Sequence, residues 1–522
     1  MPLLFIALLT ALPEATPDAV VVCSPQFEQA LHPLIEYRKK QGHSFAMISN
    51  TLNGEQIRNE IRSLARSGKL KYILIVGDAT VSPKSANAND PTCVPVHRAK
   101  AKVNVSWGSE PHIATDNYYA DLDDDHIPDV AIGRLTADTP KELREMVNKI
   151  LTYERSDDVG LWRQRLNFVA GTGGFGQMID SVLEASSQYM LSQDIPASYT
   201  VNMTYGNWQS AYCPDPRRFQ ETTIERLNEG CWFWVYIGHG FPYGLDRLCV
   251  PKARYQILTN ANIPQLQCRH GLPIAVFLAC YTGAFDATQD CLAEQMLRTP
   301  GAPVAIIAAS RIAMPYAMSV FGTGLLEECF CARRKTIGEA ILHAKKKMLQ
   351  SGKKTKRRDM LDAIASVVSP TPSKMAEELA EHLLLFNLLG DPMLRLRHPH
   401  QVKVKVASKA VPGQSLKISA ESPIDGRATV ELARSRSQQA TVSTARSKYP
   451  TNPEKLSNFQ NDYLMANDHR LESTECTVEN GQLNATLKVP DRANGDCHIR
   501  VFVEGSNDMA LGSADVEITD PK

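Results

Sequence analysis

Runs of five or six apolar residues, separated by amphipathic segments of helical period, constrain this chain more than any other feature. Ala19–Cys23 (AVVVC), Tyr72–Val76 (YILIV), Trp232–Ile237 (WFWVYI), Pro273–Leu278 (PIAVFL) and Val304–Ala309 (VAIIAA) are too short for buried helices and show no polar alternation. Strands of this kind are buried on both faces, as in a parallel sheet covered by helices. Between them, Gln26–Gln41 carries Phe27, Leu31, Leu34 and Ile35 at helical spacing and stops at Gly42. Gln56–Ser67 and Pro140–Glu154 repeat the pattern. Phe45–Ser49 and Leu166–Ala170 are further strands. Helices are expected at Gln177–Ser192, Arg218–Asn228, Thr336–Leu349 and Lys374–Leu389, and a strand at Tyr199–Asn202. Such alternation predicts an α/β fold, a mostly parallel sheet flanked by helices.

The pattern changes near residue 398. Val402–Val406, Ser415–Ser419, Ala428–Leu432, Leu483–Val489 and His498–Val503 alternate between turn signals such as Asp425-Gly426, which predicts an all-β sandwich. The polar insert Arg434–Arg470 reads as a mobile loop. The expected division is therefore 1–18, an N-terminal segment; 19–155, a first α/β subdomain; 156–398, a second α/β subdomain; and 399–522, the sandwich.

Charge excludes little but directs attention away from some partners. The 57 basic residues balance the 57 acidic ones, so nothing points to nucleic acid or a membrane surface. No apolar run reaches the roughly 18 residues of a membrane span. Leu3–Leu12, followed by Ala15, has the apolar core of a signal peptide but no Lys or Arg ahead of it; it reads either as an export signal or as a short packed helix. The export reading makes the protein secreted or envelope-associated. The twelve cysteines match no zinc spacing, and Cys476 and Cys497 are the candidates for a disulfide in the last domain.

Two of the apolar runs end in a reactive side chain among small residues, at Gly238-His239-Gly240 and Ala279-Cys280 with Gly283. In an open parallel sheet the carboxyl ends of the strands form the working edge. A strand-end Cys is commonly an inert buried thiol, and a lone His a structural one. The pair shifts the balance, because a thiol and an imidazole on one edge form a nucleophile and its base. Their separation, 280 − 239 = 41, is close to the His-before-Cys interval of roughly 50 residues in caspases. The backbone N–H groups of Gly240 and Cys280 are the expected oxyanion donors.

At these residues the chain resembles the gingipain family of cysteine peptidases, of the caspase-like clan. That family has one strand ending in Gly-His-Gly and another ending in Ala-Cys with a Gly shortly after. Tyr72–Asp78 (YILIVGD), Ile132-Gly133-Arg134, Tyr153-Glu154-Arg155, Val304–Ala308 and Leu389–Pro392 (LGDP) fall in the family's order. The resemblance implies a caspase-like α/β fold, an immunoglobulin-like trailing domain, and thiol endopeptidase activity with no catalytic cofactor on protein or peptide substrates. It departs from the family at Thr172, where gingipains carry an acid beside the catalytic pair. It also implies a basic-residue pocket, with Asp180 near the aspartate that selects arginine; Tyr316, beyond the strand Val304–Ala309, is the expected aromatic wall for the long side chain. The alternative for Asp180 is a solvated first-turn helix acid.

Three other features carry chemistry. Asp121, Asp123, Asp125 and Asp129 alternate as in calcium loops, with the Ile127 carbonyl as a further ligand, although Asp124 and His126 stand where glycines often sit. A solvated acidic turn explains the same pattern. Gly171–Gly176 formally matches a dinucleotide fingerprint, but the strand after it lacks the ribose-binding acid. The basic runs Lys345–Lys347 and Lys353–Arg358 read as a solvated helix end and linker. The reading is a gingipain-like cysteine endopeptidase cleaving after Arg or Lys; its rivals are a sortase-like transpeptidase on the same scaffold and a non-catalytic binding or adhesion protein.

Overall fold

Strands buried on both faces must sit inside a sheet covered by helices, and the apolar runs do so. The computed structural model describes residues 16–79, 90–174, 194–349, 356–369, 371–436 and 446–519. Residues 1–15, with the signal-like core, and the whole of the expected helix Gln177–Ser192 lie outside them.

Among the described residues the main sheet has ten strands. In chain order they are β1 Ala19–Cys23, β2 Phe45–Ser49, β3 Tyr72–Val76, β4 Ala131–Leu135 and β5 Arg165–Ala170. The rest are β6 Thr200–Tyr205, β7 Phe233–Ile237, β8 Ile274–Leu278, β9 Ala305–Ala309 and β10 Phe386–Leu389. Their spatial order is β2-β1-β3-β4-β10-β9-β8-β7-β5-β6. Neighbours are parallel except where β10 meets β9. That seam divides the sheet into two halves of opposite direction. The carboxyl ends of β5, β7, β8 and β9 consequently share one edge.

β10 corrects the expected helix Lys374–Leu389. The helix ends at Leu385 and the next four residues are strand. Leu383–Leu389 is apolar except for Asn387, so helical and strand periods cannot be told apart there. Pairing with β9 on one side and β4 on the other decides the outcome. Asn387 is satisfied in place, its Oδ1 accepting the Asp116 N–H at 3.1 Å. A helix at Pro315–Leu326 had no distinct signal, being apolar nearly all round.

Lys345 also departs from expectation. It is buried, and its Nζ donates to Asn117 Oδ1 at 2.7 Å and to the Phe386 carbonyl at 2.6 Å, tying the helix Ile337–Leu349 to β10. Burial pushes its ammonium down to about 7. Lys347 is half-exposed and bridges Glu327 at 3.0 Å and the buried Glu328 at 2.5 Å. Lys356–Val368 is helix rather than linker.

The C-terminal region packs a sheet built on Gly426–Arg434, Arg470–Val478, Gly495–Glu504 and Met509–Ile518 against a three-stranded one. Leu416, Ile418 and Leu483 from the smaller sheet share one core with Val430, Leu432 and Val501 from the larger. Cys476 lies opposite Ala428, and Cys497 opposite Arg434, on the same central strand. At ~3.3 Å per residue they are far beyond disulfide reach, and both are free.

The described part of the insert Arg434–Arg470 is a docked helix, Ser457–Asn467, not a mobile loop. Tyr463 is buried with its hydroxyl 2.9 Å from Thr204 Oγ1 and 2.7 Å from Arg226 Nε. Asn467 accepts the Met203 N–H at 2.7 Å and donates to the Met203 carbonyl at 3.0 Å, as a neighbouring strand would. His469 Nε2 donates to the Val201 carbonyl at 2.8 Å. Polar side chains thereby cap the free edge of β6, where an unpaired strand would invite association.

Candidate active site

β7 and β8 are adjacent and parallel, and their last aligned pair is Ile237 with Leu278. His239 and Cys280 each stand two residues past that pair, on strands ~4.8 Å apart. The chain ends stay together because Gly238 N–H donates to the Leu278 carbonyl at 3.2 Å. Gly240 then presses on the other turn. A Cβ there would meet Cys280 O at 2.5 Å, Thr282 Cγ2 at 2.8 Å and Ala279 Cβ at 3.0 Å. Small residues around the two reactive ones are thus a packing requirement.

The backbone of His239 is held from two sides. Its carbonyl accepts the Tyr236 hydroxyl at 2.8 Å and the Asp246 N–H at 3.2 Å. Tyr236 is fully buried, and its Oη lies 2.8 Å from where a Cβ would stand on Gly171 or on Gly238. Gly174 borders the imidazole, with its missing Cβ 3.8 Å from His239 Nε2. Gly171 therefore clears room for Tyr236, and Gly174 for His239.

Cys280 is half-buried, and its Sγ accepts the Ala313 N–H at 3.3 Å. Burial pushes the thiol up from its ordinary value, and the Ala313 N–H draws it partly back. Attack by this thiol therefore calls for a base to take its proton. The residue after it, Tyr281, has φ +56°, a left-handed conformation that turns the chain sharply away; its N–H donates to the Arg311 carbonyl at 3.1 Å.

The loop carrying Ala313 is itself fixed. His382 is fully buried, accepts the Met314 N–H on Nε2 at 2.7 Å and donates from Nδ1 to the Glu378 carbonyl at 2.6 Å. Burial pushes this imidazole down to about 4, so it is neutral in this arrangement. Arg311 forms a two-pronged pair with Asp286 at 2.8 and 2.7 Å. Sequence reasoning missed Ala313, His382 and this pair, because a backbone donor and a histidine in an apolar helix carry no motif.

Asp180 lies outside the described residues. Tyr316 is the second residue of the helix Pro315–Leu326, three residues beyond Ala313, and its hydroxyl donates to Asp362 Oδ1 at 2.7 Å. Thr172 Oγ1 donates to the Arg247 carbonyl at 2.9 Å.

Among the described residues, two groups of carboxylates could hold a cation. Asp121, Asp123 and Asp129 offer oxygens within 4.8 Å of one another. Asp125 is outside that group, its Oδ1 accepting the Ile127 N–H at 2.7 Å. Asp124 and His126 have φ +69° and +70°, the backbone that glycines adopt in such loops. Arg58 already supplies positive charge, reaching Asp121 at 3.0 Å and Asp124 at 2.7 Å. The second group, Asp78, Asp290 and Glu294, was not anticipated, because its members come from two distant segments. Arg298 reaches Asp290 at 2.8 Å and Asp138 at 2.7 Å beside it.

Comparison with known proteins agrees with this geometry. The family model described as peptidase family C25 matches residues 12–397. Gingipain R1 of Porphyromonas gingivalis is 23% identical over 435 residues, covering 79% of this chain and 39% of that protein. Lys-gingipain HG66 of the same organism is 24% identical over 293 residues, covering 53% of this chain and 15% of that protein. The chain thus spans well under half the length of these relatives. The crystal structure of the Arg-specific cysteine proteinase gingipain R superposes with a TM-score of 0.53 at 16% identity, covering 97% of this chain and 98% of that one. The shared architecture is the caspase-like fold.

Proposed function

The chain belongs to peptidase family C25, and from that premise we propose that it is a cysteine endopeptidase in which Cys280 is the nucleophile and His239 the base. The observation that carries this reading is the register of β7 and β8, which ends both strands at the same level on one edge. His239 takes the thiol proton as Cys280 Sγ attacks the scissile carbonyl carbon. The oxyanion that forms is met by the N–H groups of Gly240 and Cys280. Collapse breaks the C–N bond, with the proton passing from His239 to the leaving amine, and leaves a thioester. Water then attacks the thioester carbonyl, giving a proton to His239; collapse breaks the C–S bond, His239 returns the proton to Cys280 Sγ, and the acid departs. No cofactor enters these steps. The trailing sandwich is read as immunoglobulin-like, a support rather than part of the chemistry.

The pocket is proposed to take Arg or Lys before the cut, with Asp180 as its acid and Tyr316 as an aromatic wall. The names of the relatives support this, and a carboxylate favours arginine when it can pair bidentately. A fluorogenic peptide panel with Arg, Lys, Asn or Asp at that position tests both activity and selectivity. Arginine is expected to lead, and Asp180→Asn to erase the lead while Cys280 stays reactive. Preference for an acidic or apolar residue refutes the basic pocket but leaves the catalytic pair standing.

Asp121, Asp123 and Asp129 fit a structural calcium ion, which would cross-brace the turn before β4. Millimolar calcium is expected to raise the melting temperature by mass action, and Asp123→Ala to abolish the rise. An unchanged melting curve leaves only a turn neutralised by Arg58.

A further inference from the structure

The two-residue strand Gly240–Phe241, paired with Gly244–Leu245, leaves the candidate base directly. Phe241 lies two residues past His239, in the short strand that follows it, while Gly240 between them packs on Cys280, Thr282 and Ala279. Phe241 is 55% exposed, and Tyr243, at the tip of the same hairpin, is 41% exposed. A single exposed aromatic needs no explanation, but two within three residues beside a reactive group form a patch. Their backbone is rigidly held. The Pro242 carbonyl accepts the Leu292 N–H at 2.7 Å, and the Tyr243 carbonyl accepts the Asn260 N–H at 3.0 Å. Rings on a fixed backbone lose little entropy when they bind.

The reaction proposed above decides which part of a substrate they would meet. The group that protonates the leaving amine stands on the leaving-group side of the scissile bond, so the chain that follows it runs along the residues after the cut. Phe241 is about 7 Å beyond His239 at ~3.3 Å per residue, level with the first two residues of an extended leaving chain. Resting on that peptidase reading, we infer that Phe241 and Tyr243 form a subsite for an apolar or aromatic side chain at the first or second position after the cut.

The test uses internally quenched peptides that share one sequence before the cut and carry either Leu-Phe or Gly-Gly after it. A coumarylamide with no residues after the cut is run alongside on the wild-type chain. The expected kcat/KM ratio of Leu-Phe to Gly-Gly is above about 10, as apolar pockets typically give, and falls to near 1 in Phe241→Ser with Tyr243→Ser. A wild-type ratio near 1, a ratio unchanged in the variant, or an equal loss on both peptides overturns the subsite. Wild-type cleavage of the coumarylamide under any of these outcomes keeps the peptidase reading intact. Absence of thiol-dependent cleavage of every substrate overturns both.

Discussion

Cys280→Ala is expected to abolish peptide hydrolysis, a loss of at least about 10⁴-fold, and His239→Ala to come within a factor of ten of it. Members of one catalytic unit act together, so the double variant should be no worse than Cys280→Ala alone. Both substitutions are smaller than the residue replaced and sit past the ends of their strands, so melting temperature and circular dichroism should hold. Labelling supplies a second readout. All twelve cysteines are free, but most are buried. Burial raises the thiols of Cys23, Cys231, Cys291 and Cys329 as well, which leaves them inert to alkylation. Cys249 and Cys331 are exposed and will react with plain iodoacetamide whatever their role. The informative measurement is therefore protection: a peptide aldehyde should shield Cys280 alone. Turnover by Cys280→Ala, or protection that falls on Cys249 instead, would refute the assignment.

The core strands in both halves of the sheet were legible because burial on both faces leaves a strong signature. β1, β3, β7, β8 and β9 are apolar runs, and every residue of β1, β3, β8 and β9 is buried. The pairing that unites the two halves was not legible. β10 is continuous with an apolar helix, and only its contacts with β9 and β4 make it strand. The same holds for Lys345, whose sequence neighbours suggest solvent while its Nζ meets two buried acceptors. The insert helix Ser457–Asn467 shows a third form of the problem. Asn467 and His469 look like ordinary surface residues until the edge of β6 is there to need them.

At the site, residue types could be read from motifs, whereas supporting contacts could not. Gly-His-Gly and Ala-Cys draw attention to His239 and Cys280 because small residues beside a strand end are unusual. The Ala313 N–H on Cys280 Sγ comes from a loop more than thirty residues away, and it is fixed by His382 from a helix further on. No local pattern encodes that arrangement. The carboxylates show both outcomes. One loop brings Asp121, Asp123 and Asp129 together within nine residues, whereas Asp78 reaches Asp290 and Glu294 only through the fold.

Gly240→Ala should cost about 10²–10³-fold in kcat/KM with the fold retained, the largest loss expected from any residue outside the catalytic pair. The added methyl would lie 2.5 Å from the Cys280 carbonyl oxygen and 2.8 Å from Thr282 Cγ2, so the two turns must separate. Normal contact distance requires a shift of the order of 1 Å, and misplacement on that scale is enough to cost about 100-fold. The clashing oxygen belongs to backbone, which cannot swing aside as a flexible side chain would. The displaced turn carries His239 on one side and the proposed oxyanion donor on the other, so the same shift harms proton transfer and oxyanion binding together. The loss should appear mainly in kcat, because residues that hold the substrate before the cut lie elsewhere. Gly413→Ala is the control, since nothing lies within 4 Å of its missing Cβ. Its φ of +81° makes it lose some stability but no activity. Wild-type turnover in Gly240→Ala would mean that the chemistry does not depend on the contact between these two turns, and the Cys280–His239 assignment would fall with it.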